Sequence, residues 1–580
     1  MVVPPSRLSF LAVLAAGAAP GLLAGTQVAG LLFFLNPHLP FVPVTVARGV
    51  VFYALLLGIV SLLVHAPLTR GRARRLRAWL PVSTTAVLAS AGVGFWAHAY
   101  YFNFFLPPGI NKRLLKAAIW LSLAALIGFY TVLIHRLRER PYGRRSLILF
   151  GLLAVASIYV VVERREAFRP RVEPSPRPTT FQASGRPMLC VVGIDAATLD
   201  AILPLAERGM LPFFDRIRRE GARARLETLE PMRRRPLWLT LTTGKYPYEH
   251  RIVGDSTYDA PFLAGPSQRL HLLPLSLSFA RWGTLGPPRP VTARDLRALN
   301  LWQILDRVGS STAVVGWPST TPQNAGGVLV PHDFFTEAVT DPAEAQIAPA
   351  ALAERAKLFR TAPEELDPDE VSRFGETPEA EVLEALAGDR WREDLSFFLV
   401  DREQQVDALF VLLPGLRDIS KSSFGGFSAV QFRGSQDEDA VRASRRVAAY
   451  YRHLDDFLAM LWNKMPSPRL LVVASSYGVR EPNDLVRVLG MGDSVRGSFI
   501  GRPEGVLTLL GDGVRQGAAV REARLVDVVP TVLYGLGYPI ARDLEGAVLT
   551  EVFDTSFLAS RPLAFVPSYE TFQPQLLAAP

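Results

Sequence analysis

Three arginines in succession, Arg233, Arg234 and Arg235, stand in the stretch 228-TLEPMRRRPLWLTLTTGKYPYEH-250, followed by the hydroxyls of Thr240 and Thr242. Guanidinium groups stay protonated in proteins, so they bind carboxylates and phosphates in bidentate fashion but cannot attack them. A hydroxyl can attack, provided that a base or a metal ion activates it. Bases are scarce: beyond residue 187 the only histidines are His250, His271, His332 and His453, each of which reads as a satisfied or solvated residue. Asp195, Arg417 and Ser476 lie at or just beyond short apolar runs, 189-LCVVGID-195, 407-DALFVLLPG-415 and 470-LLVVASS-476. The single cysteine, Cys190, reads as a buried strand residue, and one cysteine allows neither an intrachain disulfide nor a thiolate cluster.

Those runs, with 312-TAVVGWP-318 and 506-VLTLLG-511, are apolar throughout, bounded by Gly, Pro or Asp, and separated by helix-length segments. This pattern predicts strands of a largely parallel sheet covered by helices on both faces, an α/β domain of about 375 residues. In such sheets functional groups gather at the carboxyl ends of the strands, where Asp195, Arg417 and Ser476 stand.

The remainder of the 580 residues is of another kind. The composition is 49% hydrophobic with a mean hydropathy of +0.19, which points to a membrane portion. Apolar stretches at roughly 8–35, 44–66, 80–106, 114–134 and 147–162 approach or exceed the roughly 20 residues that cross a bilayer, and they predict about five transmembrane helices within 1–165. The first lacks a convincing cleavage site and is expected to be retained. Much of the net charge of +9 is bunched in 70-RGRARRLR-77 and 135-HRLRERPYGRR-145, flanking apolar runs, without an aromatic-interleaved basic stripe. The expected partner is therefore the lipid bilayer and not nucleic acid. The cation-rich loops place the N-terminus in the cytoplasm and the C-terminal domain outside a cytoplasmic membrane, with the Pro-rich segment 166–187 as a linker.

The stretch 192-VGIDAATLDAILPLAERGMLPFFDRIRREGARARLETLEP-231 with 236-PLWLTLTTGKYPYEHRI-252 resembles the opening of the alkaline phosphatase superfamily, in its type I phosphodiesterase and nucleotide pyrophosphatase branch. The resemblance continues through 302-WQILDRVGSSTAVVGWPSTTP-322, 450-YYRHLDDFLAML-461, 502-RPEGVLTLLGDGV-514 and 527-DVVPTVLYGLGYPIARDLEGAVLTEVF-553. It implies an alkaline-phosphatase-like domain over 188–565, a helical insertion or cap at 323–391 that helps cover the site, and a tail at 566–580. Family members hold two divalent metals, generally zinc, on Asp and His ligands, and a metal-activated Thr or Ser attacks phosphorus.

Carried over residue by residue, this apparatus is largely missing. Asp195 matches the first metal ligand, but the nucleophile falls on Arg234. The Asp and His of the next ligand motif fall on Arg417 and Lys421. Those of the third fall on Ser476 and Tyr477, and the late His falls on Gly501. One carboxylate without an imidazole cannot hold two zinc ions, so no cofactor and no catalytic residue are expected. The cations could instead neutralise Asp195, or form a pocket that recognises an anionic envelope or lipid group without cleaving it. A rebuilt site with Thr240, Thr242, Ser476 or Tyr477 as nucleophile would lack a base. The expected function is that of a membrane-anchored binding or scaffold protein, with a membrane protein complex as a candidate partner. The alternative is an active two-metal phosphodiesterase or phosphotransferase acting on extracytoplasmic phosphoesters.

Overall fold

The computed structural model describes residues 7–40, 42–68, 73–162, 186–264, 268–274, 287–321, 327–335, 345–401, 406–482 and 495–571. Arg70 and Arg72, the linker except 186 and 187, residues 323–326 and 336–344 of the insertion, and 572–580 lie outside them. The chain forms two compact units: Met1–Pro170 with Val253–Val291, and Arg171–Ile252 with Thr292–Pro580.

The first unit holds α1 (Arg7–Leu35), α2 (Pro43–Leu68), α3 (Ala73–Tyr101), α4 (Pro108–Leu137) and α5 (Arg144–Val162). All five are long and apolar enough to cross a membrane. Helix α3 begins at Ala73 rather than at 80, since Arg, Leu and Ala are good helix formers and carry the helix past the apolar limit. Helices α1 and α2 approach backbone to backbone: a Cβ on Gly21 would stand 1.9 Å from Leu57 O, and one on Gly25 2.2 Å from Tyr53 O. Small residues permit such contact where apolar surroundings give little hydrophobic drive.

Val253–Val291, drawn from the sequence into the α/β domain, groups instead with these helices. Its strand Ser256–Asp259 pairs antiparallel with Arg269–Leu270 and with Arg289–Pro290. Ala260, Leu263 and Leu270 share one core cluster with Val28, Leu32, Phe33 and Tyr53. Fully buried Asn36, just after α1, accepts from His271 N (2.7 Å) and Leu272 N (3.1 Å) and donates to Leu272 O (2.8 Å). Asn36→Ala would orphan those backbone groups, at a cost of about 2 kcal/mol. Faster proteolysis of 253–291 in detergent is expected, and an unchanged cleavage rate would contradict this role.

The second unit is built on one sheet. Its strands are β1 (Met188–Ile194), β2 (Ala222–Glu227), β3 (Thr312–Val315), β4 (Val328–Val330), β5 (Ala408–Leu413), β6 (Arg469–Ser475), β7 (Gly505–Gly511) and β8 (Ala518–Arg524). Their order is β8-β2-β7-β6-β1-β5-β3-β4. All neighbours are parallel except β7, which runs against both β6 and β2. The central strands β1, β5 and β6 are buried almost throughout, as continuous Val, Leu and Ile runs require between two helical layers. Cys190 is buried within β1. The predicted tail is partly built in: Phe565–Val566 pairs with Ile540–Ala541, and Tyr569 is buried.

The helices that matter for the site are α6 (Arg234–Thr243), α7 (Ala380–Val400), α8 (Gly415–Arg433) and α9 (Glu438–Lys464). Helix α8 starts directly after β5, and α7 lies within and just beyond the predicted insertion.

Candidate functional site

The parallel register brings the carboxyl ends of β6, β1, β5, β3 and β4 to one edge, and Asp195 leaves the end of β1 there. Its side chain is wholly buried. Trp238 Nε1 donates to Oδ1 at 2.5 Å, and Arg234 Nε donates to Oδ2 at 2.5 Å. Both donors come from α6, one turn apart, so a single helix supplies one donor to each carboxylate oxygen. Burial works against the Arg234 charge, but Asp195, then Tyr477 and Asp418, more than offset it, and the guanidinium is held above its ordinary range. Ala196 follows in the left-handed region at φ 65°, which is costly for a residue with a Cβ.

The other expected residues are placed unequally. Tyr477 is fully buried, and burial pushes its hydroxyl well above the usual range, with Asp195 adding to the rise and Arg234 and Arg417 opposing it. The phenol is near enough to feel the Asp195 carboxylate but meets no acceptor at hydrogen-bond geometry. Ser476 is also buried with an unpartnered Oγ. Arg417 and Lys421, expected to turn toward Asp195, do not bond to it. Arg417 pairs at 3.1 Å with its neighbour Asp418, both being partly exposed, and Lys421 lies exposed one turn further along α8. Gly501 adopts φ 83° under the Arg480 guanidinium, whose Nη2 would stand 2.0 Å from a Cβ there. A cation thus covers the position at which the family resemblance puts a histidine.

The candidate hydroxyls on α6 are committed elsewhere. Thr240 Oγ1 donates to Pro236 O at 2.8 Å and lies 3.2 Å from His250 Nε2; Thr242 Oγ1 donates to Asn300 Oδ1 at 2.7 Å. His250 is buried, which lowers its pKa to about 3, so the ring stays neutral inside the domain.

Two further residues belong here: His332, which reads from the sequence as satisfied or solvated, and Arg392, which the sequence reading does not single out. His332, at the end of β4, is buried with an unpartnered Nδ1, and burial together with Arg234, Arg392 and Arg235 lowers its pKa to about 3. Arg392, on α7, is buried, which together with Arg234 brings its pKa down to about 10 despite Asp389. No motif announces either one; only the fold brings α7 and β4 to this edge.

The residues present do not fit a two-zinc centre. Each oxygen of Asp195 already accepts an N–H, and the remaining carried-over positions offer three cations, two hydroxyls and a glycine. Among the described residues, no group of three or more His, Cys, Asp or Glu side chains is placed to hold a metal ion.

Helices on a mainly parallel eight-stranded sheet, with polar groups collected at its carboxyl edge, define an α/β domain with its site at the strand ends. The chain belongs to the type I phosphodiesterase / nucleotide pyrophosphatase family, whose model matches residues 189–505. Among solved structures it is similar to the alkaline phosphatase PafA, with 12% identity over 64% of this chain and 100% of that one, at a TM-score of 0.43. It is also similar to murine ectonucleotide pyrophosphatase / phosphodiesterase 5, with 11% identity over 63% and 100% of the two chains, at a TM-score of 0.37. For the phosphonate monoester hydrolase of Silicibacter pomeroyi the figures are 14%, 63% and 76%, at a TM-score of 0.36. Comparison with curated proteins gives no match.

Proposed function

We propose that this chain is a membrane-anchored member of the family that binds without hydrolysing. Its five helices lodge it in the cytoplasmic membrane with the N-terminus inside. The α/β unit stands on the outer side, as a binding or scaffold component for an anionic envelope or lipid group or for a membrane protein complex. The observation that carries the reading is the Asp195 carboxylate closed off by Arg234 and Trp238. A metal ion brought to Asp195 would stand against the positive charge of Arg234, and a buried ion pair with a second donor is not readily displaced.

The test uses the full chain in detergent, because removing the helices would strip Ala260, Leu263 and Leu270 of their apolar partners. Elemental analysis is expected to find no stoichiometric zinc or other divalent metal. Turnover of an aryl phosphodiester is expected to stay at the blank, with or without added zinc. Two bound metals together with turnover would overturn the proposal in favour of a metal-dependent phosphodiesterase or phosphotransferase.

A further inference from the structure

Arg392 is unused by the arrangement around Asp195. It lies outside every position carried over from the family and is 4% exposed. Its Nη1 donates to Gly388 O at 2.6 Å, and its Cζ lies 4.2 Å from the centroid of the Phe335 ring. Its stem crosses the end of β3, where a Cβ on Gly316 would stand 3.0 Å from Nε. Gly316 also donates its N–H to Val330 O, which sets Arg392 beside the end of β4 and His332.

Among the described residues the guanidinium makes no ion pair within 4 Å, and Asp389 and Asp195 act on it only from further off. Asp389, three residues earlier, accepts instead from Gly415 N and Tyr450 Oη. Glu393 is taken by His453 and Arg390. Two N–H donors from two helices are left buried and unpartnered, Arg392 Nε on α7 and Arg234 Nη2 on α6, and the acceptor nitrogen His332 Nδ1 after β4 is buried without a partner beside them. Folding does not ordinarily leave a buried cation unpaired beside orphaned donors, because both are costly.

We infer that Arg392 and Arg234, beside neutral His332, form an inner subsite for a phosphate or phosphomonoester group, whose terminal oxygens accept from the two orphaned guanidinium N–H groups. It rests on the reading that this site binds without hydrolysing. The shared chemistry is a tetrahedral oxyanion; free phosphate and a phosphomonoester lipid headgroup are its two sources.

The full chain is unfolded thermally in detergent at constant ionic strength, with inorganic phosphate titrated in one arm and micelles doped with phosphatidic acid or with phosphatidylcholine in the other. Binding is expected to raise the midpoint saturably, by about 2 °C at ten times the Kd. A shift in the phosphate arm only assigns a free ligand. A shift with phosphatidic acid only assigns a lipid headgroup, and shifts in both assign the group itself.

Arg392→Met is expected to raise the midpoint without phosphate, since burial costs the charge more than its distant carboxylates return, and to abolish the response to either probe. A merely structural arginine would lower the midpoint and leave the response intact, which would overturn the inference. Should that variant not fold, Arg392→Lys, which keeps a charge but not the Nε donor, is expected to bind phosphate about tenfold more weakly. Lys357→Gln, on an exposed pair with Glu354, serves as the unchanged control. No shift in either arm, with metal and turnover absent, would sink this subsite and leave the proposed function standing. Metal with turnover would sink the reading beneath it.

Discussion

Arg234→Met is expected to destabilise the α/β unit by about 3 kcal/mol, because it leaves a wholly buried carboxylate with a single neutral donor. The lower end of the range for broken buried pairs applies, since the Arg234 side chain keeps 27% of its exposure. Asp195→Asn with Arg234→Met should recover most of the loss: the amide oxygen can still accept from Trp238, and no charge is left stranded. Trp238 and Trp317 pack edge to face at 5.2 Å beside this pair, so tryptophan fluorescence during urea unfolding reads the site directly. A single variant within 1 kcal/mol of the parent would contradict this role for the ion pair. Arg234→Thr, which supplies the hydroxyl that the family resemblance calls for, is expected to incur a similar loss and to gain no phosphodiester turnover.

The second large effect concerns pH. His453 on α9 is 3% exposed, and its Nδ1 lies 2.5 Å from Glu370 Oε1. Glu393 Oε1 stands 2.8 Å from Nε2, an ion pair whose geometry falls short of a hydrogen bond. Burial disfavours the imidazolium, but Glu393 and Glu370 outweigh it and raise the His453 pKa to about 10. The folded state therefore holds its proton more tightly than the unfolded chain, where the value is about 6.5. The associated stability is fully present below pH 6.5 and is lost as pH rises through 10.

Arg390 and Asp389 from α7 and Arg373 also face this group, and they are part of what the titration senses. Asp389, raised to about 7 chiefly by burial, adds a loss of the same sign between about pH 4 and 7. His453→Gln is expected to cost a few kcal/mol at pH 7, as buried Glu393 loses its cation, and to flatten the fall in stability between pH 7 and 10. Unfolding midpoints measured across that interval decide the matter: parallel curves for parent and variant would rule out His453 as the source.

What could be read from the sequence depended on whether burial is continuous. Strands β1, β5, β6 and β7 were legible because both their faces are covered, so their residues are apolar in sequence as well as in space. Strands β2 (ARARLE) and β8 (AAVREAR) lie at or next to the sheet edge, where alternate residues reach solvent, and their arginines hide them from a search for apolar runs. The excursion 253–291 has no membrane-like stretch, and its allegiance to α1 and α2 shows only in its contacts. At the site, Asp195 and Arg234 could be placed by spacing from Pro236 and Trp238. Arg392 and His332 could not, because their nearness to Arg234 is set by how α7 and β4 meet the sheet, and no local pattern encodes that.

The pairing of Asp195 with Arg234 and Trp238 also shapes the sequences within reach of this one. Replacing Tyr477 with histidine would supply an imidazole near Asp195, yet that carboxylate would still be paired and a metal would gain little. Replacing Arg234 first would free the carboxylate, at the cost of a less stable chain with no compensating ligand. A metal-binding descendant therefore lies several simultaneous changes away. The arrangement works as a ratchet, in which each single step toward metal binding is either neutral or harmful.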